Sequence, residues 1–241
     1  MESDEYATMF RVEETHWWYH ALHRLIFETL DSQLPDWREK RILDAGCGTG
    51  AILQRLGNAE RNVGVDLAPE AISFCRKRGL NNVQQGNVCA LPFEDASFDA
   101  VISSSVLYHE WVSDIDVAIR EMYRVLRPGG LVLINVPAFR FLHSGHDDAV
   151  MTARRFRKPE IRRLLLSQNF KIRRLTYWTS LLFPFAVAAR TLGGSQMGRD
   201  FETNDSSWLQ RTFGRTMAIE RFLLRRISFP AGVALLAAAT K

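Results

Sequence analysis

Two spacings of apolar residues alternate along the middle of the chain. Short runs rich in Val, Ile and Leu predict strands, and the segments between them carry apolar residues at helical spacing. Neighbouring strands that are linked through a helix run parallel, because a parallel pair needs a crossover connection. The predicted strands are RILDAG, NVGVDLA, NVQQGNV, FDAVISSSVLYH, which leads into a loop, and LVLINVPAF. The pattern therefore predicts an α/β fold with a doubly wound sheet.

Residues with special backbone preferences mark the ends of the predicted helices. Pro69 suits the first turn of one helix, and Gly79 supplies a left-handed stop. Asp114 or Ser113 is placed to cap the helix that ends at the segment RPGG, residues 127–130. These positions concern folding, and we assign no chemistry to them.

Two regions depart from the alternation of strands and helices. The lead-in EETHWWYHALHRLIFETL is aromatic and then helical, and a long apolar and polar stretch separates FKIRRLTYW from ISFPAGVALLAAATK. We predict a helical lead-in and a helical insertion before the last strand. The apolar part of the insertion is shorter than a membrane span and contains Pro184 and Arg190. We therefore expect no transmembrane segment, and peripheral contact with a membrane stays open.

Composition is that of an ordinary globular chain. The sequence has 241 residues, of which 46% are hydrophobic and 24% charged, which favours one domain with a small elaboration. Cys47, Cys75 and Cys89 form no CxxC pair, and no His/Cys cluster has metal-ligand spacing. We expect no metal, no signal peptide and a reducing, cytoplasmic setting.

The net charge of +4 raises the question of an anionic partner. The basic residues gather between 153 and 174 and again in ERFLLRRI, where helical spacing is typical of a solvated face. No nucleic-acid motif accompanies them, so we do not expect a nucleic-acid partner.

The segment LDAGCGTG places Gly46, Gly48 and Gly50 directly after a predicted strand. A strand, a glycine-rich turn and a helix start together can hold the polar end of a ligand against exposed backbone N–H groups. Asp44 ends that strand, and Asp66 follows the next strand about twenty residues later, the spacing at which an acid meets a ribose diol. Two carboxylates repel a phosphate, so the pattern favours a ligand with a cationic amino group and a neutral ribose.

Four blocks occur in the order of a known family: LDAGCGTG, VGVDLAPEAI, GNVCALPFEDASFDAVISSSVLYH and EMYRVLRPGGLVLI. Over residues 41–137 the chain resembles the class I S-adenosylmethionine-dependent methyltransferases, in particular the ubiquinone-type branch that acts on small molecules. The resemblance implies a Rossmann-like seven-stranded sheet with an antiparallel final hairpin, and S-adenosyl-L-methionine as cofactor. It also implies an N-terminal helical lid over residues 1–38 and a methyltransferase domain over 39–241, with the insertion at about 179–226.

The resemblance assigns roles to individual residues. Those expected around the methionine portion of the cofactor are Asp44, Gly46, Cys47, Gly48 and Gly50, with Ser103 or Ser104 facing the carboxypropyl arm or the sulfonium. Those expected around the nucleoside are Asp66 on the ribose and Leu67, Asn87 and Val88 beside the adenine. Asn87 stands where an aspartate is commoner, and its side-chain oxygen can still accept from the adenine amino group.

The motif HWWY contains Trp17, Trp18 and Tyr19, which have two interpretations. Either they pack the lead-in helix on the core, or they belong to a lid whose aromatic faces favour the sulfonium cation.

Methylation of oxygen or carbon usually requires removal of a proton, whereas a neutral amine needs only to be positioned. Candidate bases are His109, His143 and His146, each of which is equally a capping or loop histidine. Asp147 and Asp148 either bind an amine or cap a helix. We predict methyl transfer to an N, O or C atom of a hydrophobic small molecule. The alternatives are methylation of protein or RNA, and cofactor binding without catalysis.

Overall fold

The computed structural model describes residues 3–58, 60–192 and 207–241. The strands are β1 Ile42–Ala45, β2 Val63–Asp66, β3 Val83–Gln85, β4 Phe98–Ser104, β5 Leu126–Pro137, β6 Lys171–Trp178 and β7 Ala234–Thr240. The helices are α1 Ser3–Val12, α2 Trp17–Gln33, α3 Ala51–Leu56, α4 Pro69–Lys77, α5 Ile115–Val125, α6 Gly145–Ala149, α7 Lys158–Ser167, α8 Phe183–Leu192 and α9 Ser207–Leu224.

The strands form one seven-stranded sheet in the order β3-β2-β1-β4-β5-β7-β6. Strands β1 to β5 are parallel, whereas β7 runs antiparallel to both β5 and β6. The α/β class, the doubly wound sheet and the antiparallel final hairpin are confirmed. The strand order reverses between β1 and β4, and ligands of open α/β sheets bind beyond the carboxyl ends of the strands at such a reversal.

The core has one apolar layer on each side of the sheet. Because side chains alternate along a strand, Leu43 joins the layer under α5 and α7, and its neighbour Ile42 joins the layer under α2, α3 and α4. Ile119 and Met122 of α5 are almost fully buried in the first layer. The parallel strands are therefore apolar on both faces, which is why they read as continuous apolar runs.

The predicted helix ends are confirmed with one shift. Pro69 opens α4, Gly79 has a φ of +79°, and the carboxylate of Asp114 accepts from Val117 N at 3.2 Å. Helix α5 ends at Val125, one residue earlier than its apolar pattern indicates. Leu126 is already extended and pairs with Phe98 of β4, so the strand pairing ends the helix before RPGG is reached.

The two irregular regions pack against each other. Helices α2 and α9 lie side by side, with Trp17 against Phe213 at a ring separation of 5.2 Å. The insertion leaves the sheet at Trp178 and returns at Ala234, and these two residues are paired. Both therefore lie beside Pro137, at the carboxyl edge of the parallel strands. None of the described helices is long and apolar enough to cross a membrane.

Candidate active site

The carboxyl ends of β1, β2, β4 and β5 meet at the strand-order reversal and bring polar side chains together. Asp44 comes from β1, Asp66 from β2, Ser103 and Ser104 from β4, and Asn135 from β5. Apolar residues precede each of them in its strand, so these polar groups are confined to one edge of the sheet. This edge is the candidate active site.

The glycine loop after β1 uses its own amides. Gly46 N and Cys47 N both donate to Val65 O, at 2.7 and 3.0 Å, and Gly48 N donates to Asp66 Oδ2 at 2.8 Å. The expectation that these N–H groups are exposed to a ligand is therefore wrong. They fix the loop on the end of β2, and carboxylates and hydroxyls are left as the polar groups that face a ligand.

The glycines are required by the protein itself. Gly46 has a φ of +86°, and a β-carbon there would collide with the side chain of Val106. Gly48 has a φ of +54°, and its β-carbon would lie 2.9 Å from the methyl carbon of Met9 in α1. The loop thus lies under two other parts of the chain, one of them the first helix.

Asp66 has both carboxylate oxygens engaged and retains capacity to accept more. Gly48 N donates to one oxygen at 2.8 Å and Ala68 N to the other at 3.0 Å. Each oxygen has a second lone pair, so the carboxylate can still accept two hydroxyls. Burial raises the pKa of Asp66. The predicted position on a ribose diol is compatible with this geometry.

Asp44 is a carboxyl group that the described residues leave incompletely paired. It is 1% exposed, and burial raises its pKa to about 7. Its Oδ2 atom and the buried Oγ of Ser103 have no hydrogen-bond partner within the described part of the chain. Buried polar atoms of this kind are normally paired, so a donor from a ligand would complete them.

The Cys47 prediction is wrong for the side chain. Its Sγ lies 3.8 Å from Cys75 Sγ in the apolar layer under α4, and both thiols are buried. The hydrogen bond with Cys75 and burial raise the pKa of Cys47. With its amide on Val65, this residue serves the packing of the loop rather than a ligand.

The residues expected beside the adenine differ in exposure. Leu67 is 38% exposed at the end of β2, whereas Val88 is 7% exposed and belongs to the apolar core. Asn87 Oδ1 accepts from Cys89 N at 2.8 Å, which closes a short turn. Leu67 and the amide of Asn87 are thus the parts of this set that a ligand can reach, and the side chain of Val88 is not.

Helix α1 covers the glycine loop and is fastened to it. The carboxylate of Glu13, just after α1, accepts from the hydroxyl of Thr49 and pairs with Arg78. The Nε of Arg78 donates to Thr49 O at 2.7 Å, and its guanidinium lies over the ring of Phe10 at 4.4 Å. This contact could not be predicted from the sequence, because ion pairs between distant positions leave no local pattern.

Tyr6 of α1 is buried as well. Burial raises its pKa, and the negative charge of nearby Asp66 acts in the same direction. The first helix therefore reaches the carboxylate assigned to the ribose.

The aromatic residues of the lead-in divide between packing and the site. Trp17 packs on Phe213, as the packing interpretation expects. Trp18 stacks on Trp178 at a ring separation of 5.6 Å and makes an edge contact with Tyr19. Trp178 Nε1 donates to Asn135 Oδ1 at 2.9 Å, so the stack is tied to the end of β5. A single polar residue within the apolar run LVLINVP was the available signal for Asn135.

The two candidate bases whose side chains the structure describes have different surroundings. His109 Nδ1 lies 2.8 Å from Val150 O and therefore donates to it, and burial lowers the pKa of His109 to about 4. His143 is exposed, with Nε2 at 3.5 Å from Asp148 Oδ1. The side chain of His146 lies outside the described residues.

Of the two acidic residues Asp147 and Asp148, the structure explains the first. Asp147 pairs with Arg155 at 2.8 Å and accepts from Ser144 N at the same distance, so it caps α6 and anchors its loop. Its charge is already balanced, and the amine-binding interpretation is wrong for this residue. Within the described part of the chain, no group of three His, Cys, Asp or Glu side chains could hold a metal ion.

The region that matches known proteins contains all or most of each strand whose carboxyl end forms the candidate active site. Residues 43–134 match a family model described as a methyltransferase domain. The chain is 37% identical over 127 residues to a malonyl-[acyl-carrier protein] O-methyltransferase of Erwinia billingiae, a match covering 51% of this chain and 49% of that protein. It is 44% identical over 103 residues to a fatty-acid O-methyltransferase of Mycolicibacterium smegmatis, covering 39% and 36%.

A solved structure from Thermotoga maritima, described as an S-adenosylmethionine-dependent methyltransferase and possible histamine N-methyltransferase, aligns with a TM-score of 0.60. The alignment covers 99% of this chain and 95% of that one at 20% identity, a level that shows the fold alone. Residues 43–134, which hold β2 to β4 and most of β1 and β5, thus match a methyltransferase domain, and the chain shares the fold of this S-adenosylmethionine-dependent methyltransferase. The comparisons do not single out the ubiquinone-type branch, and the chain spans about half or less of the two curated relatives.

A relative from Mycolicibacterium smegmatis is described as a probable S-adenosylmethionine-dependent methyltransferase, and the residues of the candidate active site fit that cofactor. Asp44 Oδ2 and Ser103 Oγ are buried acceptors without partners, and Asp66 has unused lone pairs at the neighbouring strand end. A cofactor with an ammonium group and two ribose hydroxyls supplies donors of the kind that these atoms lack.

Proposed function

We propose that this chain transfers a methyl group from S-adenosylmethionine to an N, O or C atom of a hydrophobic small molecule. The observation that supports a hydrophobic acceptor is the Trp18–Trp178 stack, which lies at the carboxyl edge of the sheet and is hydrogen-bonded through Asn135. Asn135 Nδ2 in turn lies 3.5 Å from Ser104 Oγ, the predicted neighbour of the methyl donor. Trp178 is fully buried and Trp18 is half-buried, so the apolar surface that this stack offers beside the cofactor residues is that of Trp18.

The proposed cofactor contacts follow the predicted set with two changes. We assign the ribose hydroxyls to Asp66, the adenine to Leu67 and Asn87, and the ammonium group to Asp44 with Ser103. Cys47 and Val88 shape the loop and the core and make no side-chain contact in this proposal. Residues 1–38 form the lid of the domain over 39–241, with α1 as the part that covers the glycine loop.

The cofactor, when bound, supplies an activated methyl group on a sulfonium cation. The contribution of the chain is to hold both reactants in line and to exclude water. Asp66 fixes the nucleoside end, α1 excludes water from the glycine loop, and the aromatic faces of Trp18 and Tyr19 favour a cation nearby. None of these roles requires a proton to move.

Within the proposed class, a carboxylate oxygen is the acceptor we favour. Two relatives are described as O-methyltransferases of a malonyl-[acyl-carrier protein] and of a fatty acid. A carboxylate arrives ionised at neutral pH and needs no base. His109, with a pKa of about 4 and one nitrogen committed to Val150 O, is a weak base. An ionised acceptor fits a candidate base, His109, that is a poor proton acceptor.

The test has two stages. Calorimetry with S-adenosylmethionine and S-adenosylhomocysteine compares the native chain with Asp66→Ala, using Asp95→Ala, whose side chain is 79% exposed, as the matched control. We expect Asp66→Ala to weaken binding at least tenfold with little loss of stability, and the control to bind normally. Equal affinity of Asp66→Ala and the native chain would reject the ribose assignment.

The second stage follows a labelled methyl group from the cofactor into acceptors. Long-chain and short-chain carboxylic acids are compared with phenols and amines of similar size. We expect turnover with the long-chain acids and much less with short ones. Cofactor binding without turnover on any small molecule would favour the non-catalytic alternative, and transfer to protein or RNA alone would favour the macromolecular one.

A further inference from the structure

The outward face of α9 carries large apolar side chains. Trp208, Ile219 and Phe222 are 68%, 57% and 63% exposed. They fall at helical spacing on one stripe, opposite the buried Met217 that packs in the core. A helix that is apolar on its outer side as well as its inner side is expected to have a partner on the outer side.

Arginines lie on the same stripe. Arg211 and Arg215 are exposed between Trp208 and Ile219, and the exposed Arg226 lies in the turn that follows α9. No ion pair joins these three arginines to any described residue. The one acidic residue of α9, Glu220, is buried and accepts from Ser180 N at 2.7 Å. The stripe is therefore both apolar and cationic.

Helix α8 and the residue Leu181 before it extend the apolar surface, and the one charged residue of α8, Arg190, is half-buried with its Nε donating to Leu142 O at 3.2 Å. Phe185 is 61% exposed and Leu181 is 36% exposed, and Leu181 N donates to the same Glu220 carboxylate of α9 at 2.8 Å. Phe141, which is 54% exposed, lies 6.3 Å from Phe183 of α8 between ring centroids. Most of the exposed large apolar side chains in the described residues thus belong to the insertion or touch it.

We propose that the outer faces of α8 and α9 dock this protein on an anionic lipid bilayer. Trp and Phe side chains interleaved with arginine are what a helix lying in a membrane interface presents. Three unpaired arginines complement anionic headgroups, whereas a second copy of this chain would bring the same positive charge to the interface. The exposed aromatic side chain of Phe185 in α8 is suited to the apolar part of the same interface.

The position of this surface relates membrane docking to the entry of a hydrophobic acceptor. The insertion joins the sheet at Trp178 and Ala234, at the same edge as the cofactor residues. A hydrophobic acceptor leaving the bilayer therefore reaches the chain beside the Trp18–Trp178 stack. The docking itself does not depend on which atom is methylated, or on catalysis.

The experiment measures co-sedimentation with phosphatidylcholine vesicles, with and without phosphatidylglycerol. We expect binding to the anionic vesicles that weakens with added salt, and little binding to neutral ones. Arg211→Glu and Arg215→Glu should each weaken binding at least fivefold, and Phe222→Gln about tenfold. The matched controls are Arg162→Glu and Leu166→Gln, exposed residues of the same types on α7, which should bind as the native chain does.

Fluorescence provides a second readout on the same samples. Trp208 is 68% exposed, Trp18 and Trp111 are half-buried, and Trp17, Trp37 and Trp178 are buried, so the largest blue shift on insertion of the stripe should come from Trp208. Trp208→Phe should bind and lose the shift. Absence of vesicle binding by the native, folded chain would overturn the proposal. Equal losses in the α7 controls, or a stripe-dependent dimer that ignores vesicles, would overturn it as well.

Discussion

The contact between Arg78 and Glu13 should hold α1 over the glycine loop. Both side chains are nearly inaccessible, with relative exposures of 4% and 5%. Replacing Arg78 by Met leaves the Glu13 carboxylate buried without its cation, a change that costs about 3–5 kcal/mol at buried pairs. The chain can avoid this cost by letting α1 move away, so we expect local opening rather than global unfolding.

The magnitude follows from that cost. A loss of about 3 kcal/mol corresponds to roughly a hundredfold rise in the open population of α1. Hydrogen exchange of residues 3–12, measured peptide by peptide, should increase by about that factor in Arg78→Met, while β4 and β5 stay protected. Arg127→Met is the matched control, since its partner Asp99 forms a more exposed pair that contributes at most about 1 kcal/mol.

Two further results check the cause. Adding Glu13→Gln to Arg78→Met removes the unpaired charge and should restore much of the protection. Burial already raises the pKa of Glu13, so its neutral form is favoured in the closed state. Closure in Arg78→Met should therefore be stronger at low pH and lost as pH rises. Unchanged exchange of α1 in Arg78→Met would refute the role of this pair.

Three shorter predictions concern the loop and its neighbours. The pKa of Asp44 is raised to about 7 in the folded chain, so its ionisation opposes folding and the free energy of unfolding should fall as pH rises from about 4 to 7. Asp44→Asn should flatten that part of a denaturation-versus-pH curve. Gly46→Ala should cost more than about 2 kcal/mol in urea unfolding, because φ is +86° and Val106 fills the space. His109→Gln should lower stability and leave the pH–rate profile between 6 and 8 unchanged, since the pKa of His109 is about 4.

Much of the sheet could be predicted because its determinants are local. Apolar runs give the parallel strands, and Pro69 and Asp114 mark helix starts through their own backbone chemistry. The position of Asp66 follows from the same logic, since strand ends of a doubly wound sheet share one edge.

The remainder depends on contacts between distant segments. Cys47 is part of the motif, yet its side chain turns into the core because Cys75 and the end of β2 leave it a place there. The contact between α1 and the glycine loop depends on the ion pair of Glu13 with Arg78, and no local sequence pattern around either residue predicts the other as its partner. The sequence predicted the presence of a helical lead-in and could not predict where it fastens.

The position of α1 over the glycine loop also bears on the rate of cofactor release. Met9 of α1 lies over Gly48, so we expect a nucleoside held beside this loop to be released when α1 lifts. In the proposed enzyme, departure of the spent cofactor would then govern steady-state turnover, and the first cycle would run faster than those that follow. A rapid burst of product, equal to the number of active sites, is the kinetic mark of such a chain.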